Sequence, residues 1–240
     1  MNIILVLVDS LNRQALAAYG SSAIATPHLD AFARQAWRFD SHFVGSLPCM
    51  PARREIFAGT AELLWRPWGP LEPFDARLPR LLATAGYRTA IVTDHYHYWE
   101  ELANGYIQSF AGAELIRGHE LDFWRQPLAP GDPLPAWVRN IERWRPGQGR
   151  RYCANVQDFA GEADYFPARV MTAAATWLAA HGGDRRSPFF LQVESFDVHE
   201  PFDVPEPYAS LYGDATGRER FTVWPPYQDP RRLAEFMAAT

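Results

Sequence analysis

Asn2-Ile3-Ile4-Leu5-Val6-Leu7-Val8, followed at once by Asp9-Ser10, is the stretch that decides the fold class. A continuous apolar run with β-branched members, closed by turn-forming residues, reads as a buried strand of a mostly parallel sheet. The run is too short to span a bilayer. It also lacks the basic start and small-residue cleavage site of a signal peptide, so the expected setting is soluble and cytoplasmic, with no membrane partner. Two more runs repeat the pattern: Tyr87-Arg88-Thr89-Ala90-Ile91-Val92-Thr93 and Phe189-Phe190-Leu191-Gln192-Val193-Glu194. Thr26 as N-cap and Pro27 at the first helical position predict a helix reaching Trp37. Further helices are predicted over 51–58, ended by Gly59, over 78–85, ended by Gly86, and over the alanine-rich 164–181. Residues 38–44 alternate enough to predict a strand. Strands alternating with helices give an α/β fold, a mostly parallel sheet flanked by helices.

Moving outward, 240 residues suffice for one domain with a real core, and 48% hydrophobic with 21% charged residues is ordinary for a globular chain. A net charge of -5 gives no reason to expect nucleic acid as a partner. All 23 basic residues are arginine. The two cysteines, Cys49 and Cys153, make neither a disulfide framework nor a zinc cluster. Residues 98–163 read as a loop-rich insertion, with Arg139, Arg143, Arg145, Arg150 and Arg151 on a solvated surface. A helical pattern runs over 230–240.

The chemistry concentrates at Cys49-Met50-Pro51-Ala52-Arg53. A cysteine at the mouth of a helix faces free N–H groups and the positive dipole end. Proline fixes the helix entry, and arginine at i+4 shares the cysteine's face, where it can hold an oxyanion. Asp9 ends the first strand, where it serves either as a turn residue or as a ligand of a hard cation. His95 and His97 follow the second strand and suit anion binding or proton transfer, or else the hydrogen-bonded surface. His199 follows the third strand and reads either as a loop histidine or as a site residue.

Taken together these segments resemble the amino-terminal part of the type I sulfatase family of the alkaline phosphatase-like superfamily, the group that includes arylsulfatases and phosphonate monoester hydrolases. Cys49 to Arg53 matches the C-x-P-x-R signature. Thr26-Pro27-His28-Leu29-Asp30 resembles T-P-N-L-D, Gly86-Tyr87-Arg88-Thr89-Ala90 resembles G-Y-x-T-A, and His199-Glu200-Pro201-Phe202 resembles H-x-P-F. The likeness runs from Asn2 to about Tyr208. Two departures stand out: Ser10 replaces the family's usual second acid, and the lysine expected near His95 is missing.

The resemblance implies that Cys49 is oxidised to formylglycine by a formylglycine-generating enzyme. The hydrated aldehyde would attack the sulfur or phosphorus of a small-molecule sulfate or phosphate ester and expel the alcohol. Its second hydroxyl would then eliminate sulfate and restore the aldehyde. Asp9 and residue 49 would hold a divalent metal, Ca²⁺ foremost, with Mn²⁺ or Mg²⁺ as alternatives. Arg53 would stabilise the diol, His199 would contact or protonate the leaving oxygen, and His95 and His97 would bind substrate. Three readings stay open: a sulfuric ester hydrolase, a phosphodiester or phosphonate monoester hydrolase, and an inactive fragment or degenerate paralogue. The family's remaining metal ligands lie beyond the sequence. The expectation is therefore one sulfatase-like domain over 1–240, incomplete at its carboxyl end, with weak metal binding, little turnover and a tendency to self-associate.

Overall fold

Four strands form one sheet: β1 (Ile3–Val8), β2 (Arg88–Thr93), β3 (Gly112–Leu115) and β4 (Phe189–Ser195). The computed structural model describes residues 1–62, 65–100, 103–184 and 186–211, so the helical pattern at 230–240 lies outside the described residues. Every strand pairing is parallel, in the order β1-β4-β2-β3. Val8 is opposite Ser195, Thr93 opposite Glu194 and Thr93 opposite Leu115, so the residues that follow β1, β2, β3 and β4 leave the sheet at one edge. That shared edge is where ligands gather in parallel α/β sheets.

The helices are α1 (Pro27–Ala33), α2 (Cys49–Ala58), α3 (Leu78–Thr84), α4 (Arg139–Trp144), α5 (Gln148–Val156), α6 (Phe166–His181) and the short α7 (Tyr208–Leu211). Alternation along β2 feeds two cores, one on each face of the sheet. Ala90 and Val92 join Leu191, Val193, Val170 and Tyr152 under α5 and α6. Ile91 joins Met50, Phe57, Tyr98 and Tyr106 under α2. Gly59 closes α2 in the left-handed region at φ 72°, its N–H bonded to the Glu55 carbonyl at 2.7 Å.

Four readings of the sequence change. Among the described strands β1 lies at the edge and is not buried: Ile4 and Val6 are 49% and 54% exposed on one face. α1 stops at Ala33, because the next residues offer no buried stripe to extend it, and Trp37 is 94% exposed. Residues 38–44 form no strand, since no neighbouring strand pairs with them. Arg38 instead binds the Ala18 carbonyl at 2.6 Å and Asp40 at 2.9 Å. The 98–163 stretch contains β3, α4 and α5. It buries Val138, Ile141, Tyr152 and Cys153 in the first core, while Arg150 binds the Pro130 carbonyl at 2.9 Å. Among the described residues no helix is long and apolar enough to cross a membrane.

Candidate active site

Asp9 lies just past β1, and backbone bonds tie it to the end of β4: its N–H donates to the Ser195 carbonyl at 2.9 Å, and its carbonyl accepts from Val198 N–H at 3.1 Å. His95 lies just past β2, its N–H held by Thr93 Oγ1 at 3.0 Å. Cys49 opens α2 and points at the same edge. A carboxylate oxygen of Asp9, the sulfur of Cys49 and a ring nitrogen of His95 all lie within 4.8 Å of one another. A groove of about 280 Å³ runs along Asp9, Ser10, Pro48, Cys49 and Arg53.

Arg53 stands one turn into α2, as the i+4 spacing predicts, and is almost wholly buried. Its Nη2 is 2.6 Å from Asp9 Oδ2 and 2.7 Å from Glu194 Oε1. Its Nε donates to Glu194 Oε1 at 2.8 Å, and Nη1 reaches the Cys49 carbonyl at 3.4 Å. The Asp9 contact is a close ion pair without good hydrogen-bond alignment, which leaves Oδ2 free to accept a further partner. Glu194 is itself fixed, accepting from Tyr98 Oη at 2.7 Å and Gln192 Nε2 at 3.0 Å. Burial works against the charge on Arg53, but Glu194, Tyr98 and Asp9 outweigh it and keep the guanidinium protonated.

Burial, reinforced by the Asp9 charge and opposed by Arg53, pushes the Cys49 thiol up to about 12. At neutral pH almost no thiolate is present, so unmodified Cys49 is a poor nucleophile. Burial, then Arg53 and the other histidines, lowers His95 well below the usual imidazole range and keeps it neutral. Neither of its ring nitrogens finds a hydrogen-bond partner among the described residues. The buried Asp9 carboxylate, with Oδ2 open to a further partner, offers an oxygen donor beside position 49, so it fits the hard cation that the resemblance implies, with His95 lining the same space.

His97 and His199 sit further out. His97 Nδ1 meets the Glu100 carboxylate, and its ring lies 5.3 Å from His95 and 4.7 Å from Trp68. His199 Nδ1 donates to the Glu200 carbonyl at 2.8 Å, and its ring stacks on Phe196 at 4.3 Å. Phe196, wholly buried, also touches His95 at 4.6 Å, so His199 is coupled to the Cys49 cluster through one aromatic ring.

Two buried carboxylates here escaped the sequence reading. Glu194 carried a signal, a charge inside an otherwise apolar strand. Glu120 carried none; it sits in the left-handed region at φ 44°, a strained conformation for a residue with a side chain. Burial raises the Glu120 carboxyl against the pull of His199, His97 and His119, and Tyr96 hydrogen-bonds it.

Comparison with known proteins bears on the family to which the chain belongs. The family model described as Sulfatase matches residues 1–229. The chain is 29% identical over 194 residues to the steryl-sulfatase of Mus musculus, covering 73% of this chain and 28% of that protein. It is 36% identical over 99 residues to the N-sulphoglucosamine sulphohydrolase of Homo sapiens, covering 38% of this chain and 20% of that one. The crystal structure of the phosphonate monoester hydrolase of Agrobacterium radiobacter superposes with a TM-score of 0.59 at 19% identity, over 86% of this chain and 43% of that one. The chain thus spans less than half the length of each of these three proteins.

Proposed function

The chain belongs to the sulfatase family, and on that premise we propose that it hydrolyses a sulfuric ester of a small molecule through a formylglycine formed from Cys49. The observation that carries this reading is the meeting of Asp9, Cys49 and His95 within 4.8 Å, with Arg53 bonded to both Asp9 and the Cys49 carbonyl. The thiol, held near 12, is not used as such, and conversion to an aldehyde hydrate supplies an oxygen nucleophile in its place. Asp9 and the oxygen at position 49, with His95 beside them, would hold a divalent cation, Ca²⁺ foremost and Mn²⁺ or Mg²⁺ as alternatives, which polarises that oxygen when bound.

The chain's own residues have separable tasks. Arg53, immobilised by Glu194, presents a fixed positive charge to an oxyanion at position 49. Glu194 and Tyr98 keep that guanidinium in place, so the charge needs no reorganisation as reaction proceeds. His199 contacts or protonates the leaving oxygen, its ring oriented by the Nδ1 hydrogen bond to the Glu200 carbonyl. His95 and His97 line the approach and bind the anion. The maturation partner is a formylglycine-generating enzyme. The two sequence relatives favour a sulfuric ester over a phosphonate, since the phosphonate monoester hydrolase shares the fold alone.

The test is mass spectrometry of the peptide bearing residue 49 after co-expression with a formylglycine-generating enzyme. The aldehyde or its hydrate is expected there. A peptide carrying only the unmodified thiol removes formylglycine from the mechanism. Any turnover of an aryl sulfate should vanish in Cys49→Ala, and turnover that survives overturns the assignment of position 49.

A further inference from the structure

On the other side of Phe196 lies a second group of side chains that the hydrolytic site does not use. Asp94 follows β2, His119 comes from the segment after β3, and Asp197 follows β4, so three strands deliver one residue each to the same sheet edge. A carboxylate oxygen of Asp94, a ring nitrogen of His119 and a carboxylate oxygen of Asp197 all lie within 4.8 Å of one another. Asp94 and His119 are almost wholly buried, and Asp197 is partly exposed. We propose that Asp94, His119 and Asp197 form a second cation site, one that takes a four-coordinate divalent transition ion of the zinc type.

Three observations point to a ligand. First, Asp94 Oδ2 is buried and finds no hydrogen-bond partner among the described residues. A buried carboxylate oxygen left that way is costly, and a cation removes the cost. Secondly, His119 Nε2 and Asp197 Oδ1 are 3.4 Å apart. A charge-assisted hydrogen bond would draw them to about 2.7–2.9 Å. Two ligands on one tetrahedral ion at about 2.0–2.1 Å stand about 3.3–3.4 Å apart. Thirdly, the donor chemistry is right, because one imidazole with two carboxylates suits zinc and its neighbours better than calcium, which prefers an all-oxygen shell.

The remaining geometry supplies what such a site needs. Asp94 Oδ1 accepts the Phe196 N–H at 2.7 Å, which fixes the carboxylate from behind. The His119 ring packs between Phe166 at 4.6 Å and Phe196 at 4.9 Å, so it cannot swing away. Asp197 lines a cavity of about 410 Å³ with Tyr165, Met171, Phe202 and Tyr208, which gives an entry path and room for a water as fourth ligand. The alternative is a metal-free ion pair in which a charged His119 serves both carboxylates.

The two arrangements are separated by zinc binding to the chain carrying Asp9→Asn and Cys49→Ala, which disables the first site and makes the outcome independent of the chemistry at position 49. After treatment with a chelator, titration calorimetry with Zn²⁺ alone should find one ion per chain. Adding His119→Gln should weaken that binding at least a hundredfold. Co²⁺ in place of Zn²⁺ should give the intense visible bands of a four-coordinate ion, and these should disappear with the same substitution. Circular dichroism checks that the His119→Gln chain folds; if it does not, Asp197→Asn, at the partly exposed ligand, takes its place and should weaken zinc binding at least tenfold. A double variant that binds no zinc, or binding undiminished by the ligand substitution, overturns the site in favour of the ion pair.

Discussion

Asp9 and Asp94 occupy matching places. Each is the residue immediately beyond a parallel strand, and each is buried at the same sheet edge. They differ in what answers their charge. Asp9 meets the Arg53 guanidinium at 2.6 Å and the Ser10 hydroxyl at 2.7 Å. Asp94 has a backbone N–H on one oxygen and, among the described residues, no hydrogen-bond partner on the other. Burial accordingly pushes the Asp94 carboxyl up to about 7, with His119 opposing and Asp197 adding to the rise. The end of a strand determines where a carboxylate stands, but its chemical state depends on whether another element brings a cation to it. For Asp9 that element is α2, whose fifth residue arrives by helical periodicity. For Asp94 the chain brings only a histidine that a second carboxylate also claims.

Substituting the cation should give the largest effect. Arg53→Met leaves Asp9 and Glu194 buried together without a counter-charge, and should lower unfolding free energy by about 3–5 kcal/mol. Urea denaturation at constant slope reads it, and a loss under about 1 kcal/mol would mean that the ion pair does not distinguish the two sites.

Asp94→Asn should act in the opposite sense in the chelator-treated chain. The folded carboxyl titrates near 7 against an ordinary value of 3.8, so between those limits the folded state keeps a proton that the unfolded state has released. Stability therefore falls as pH rises through this window. His119 slopes the same way: burial opposes its charge, but Asp197 and Asp94 raise it, and the stability this lends is lost as pH climbs above the imidazole range. Asn at 94 should stabilise the metal-free chain by about 1–3 kcal/mol at pH 8 and flatten the decline. Denaturation at pH 5 and pH 8 is the check, and a destabilised variant at pH 8 in chelator would place an unseen counter-charge beside Asp94.

The smallest effect should come from Ser10→Ala. It removes the 2.7 Å bond to Asp9 Oδ1 while keeping a side chain at φ 55°, so the backbone strain is common to both chains. A loss of about 0.5–1.5 kcal/mol is expected from thermal unfolding. A larger loss would assign Ser10 part of the work of neutralising Asp9.

What the sequence made legible follows from which forces are local. β1, β2 and β4 announce themselves as apolar runs, α2 by Pro51 and the glycine that follows, α3 by the glycine that closes it, and α6 by its alanine-rich composition. β3 does not: Gly112-Ala113-Glu114-Leu115 is short, exposed and without a β-branched residue, and it is a strand because β2 offers its edge. The reverse error at 38–44 has the same cause, an alternating pattern with no partner. In the site, the i+4 spacing of Cys49 and Arg53 is readable, and strand ends locate Asp9 and His95. Glu120 and His119 depend on where the chain after β3 turns back, and no periodicity reports that. The roles of these residues follow from their neighbours, and sequence spacing reaches only neighbours within one helix or strand.

The order β1-β4-β2-β3 has a consequence for how the chain acquires its structure. Among the described residues β1 pairs only with β4, from Ile3 opposite Phe190 to Val8 opposite Ser195. β1 therefore waits for its neighbour until nearly two hundred further residues have been made. β2 and β3 can pair much earlier, since they are close in sequence. The cluster of Asp9, Cys49 and His95 inherits this delay, because Asp9 is held by the carbonyl of Ser195 and by Arg53, which leans on Glu194. Closing so long a loop makes this a slow-folding topology. Until β4 is made, the apolar Ile3–Val8 segment is without the partner it has in the folded chain.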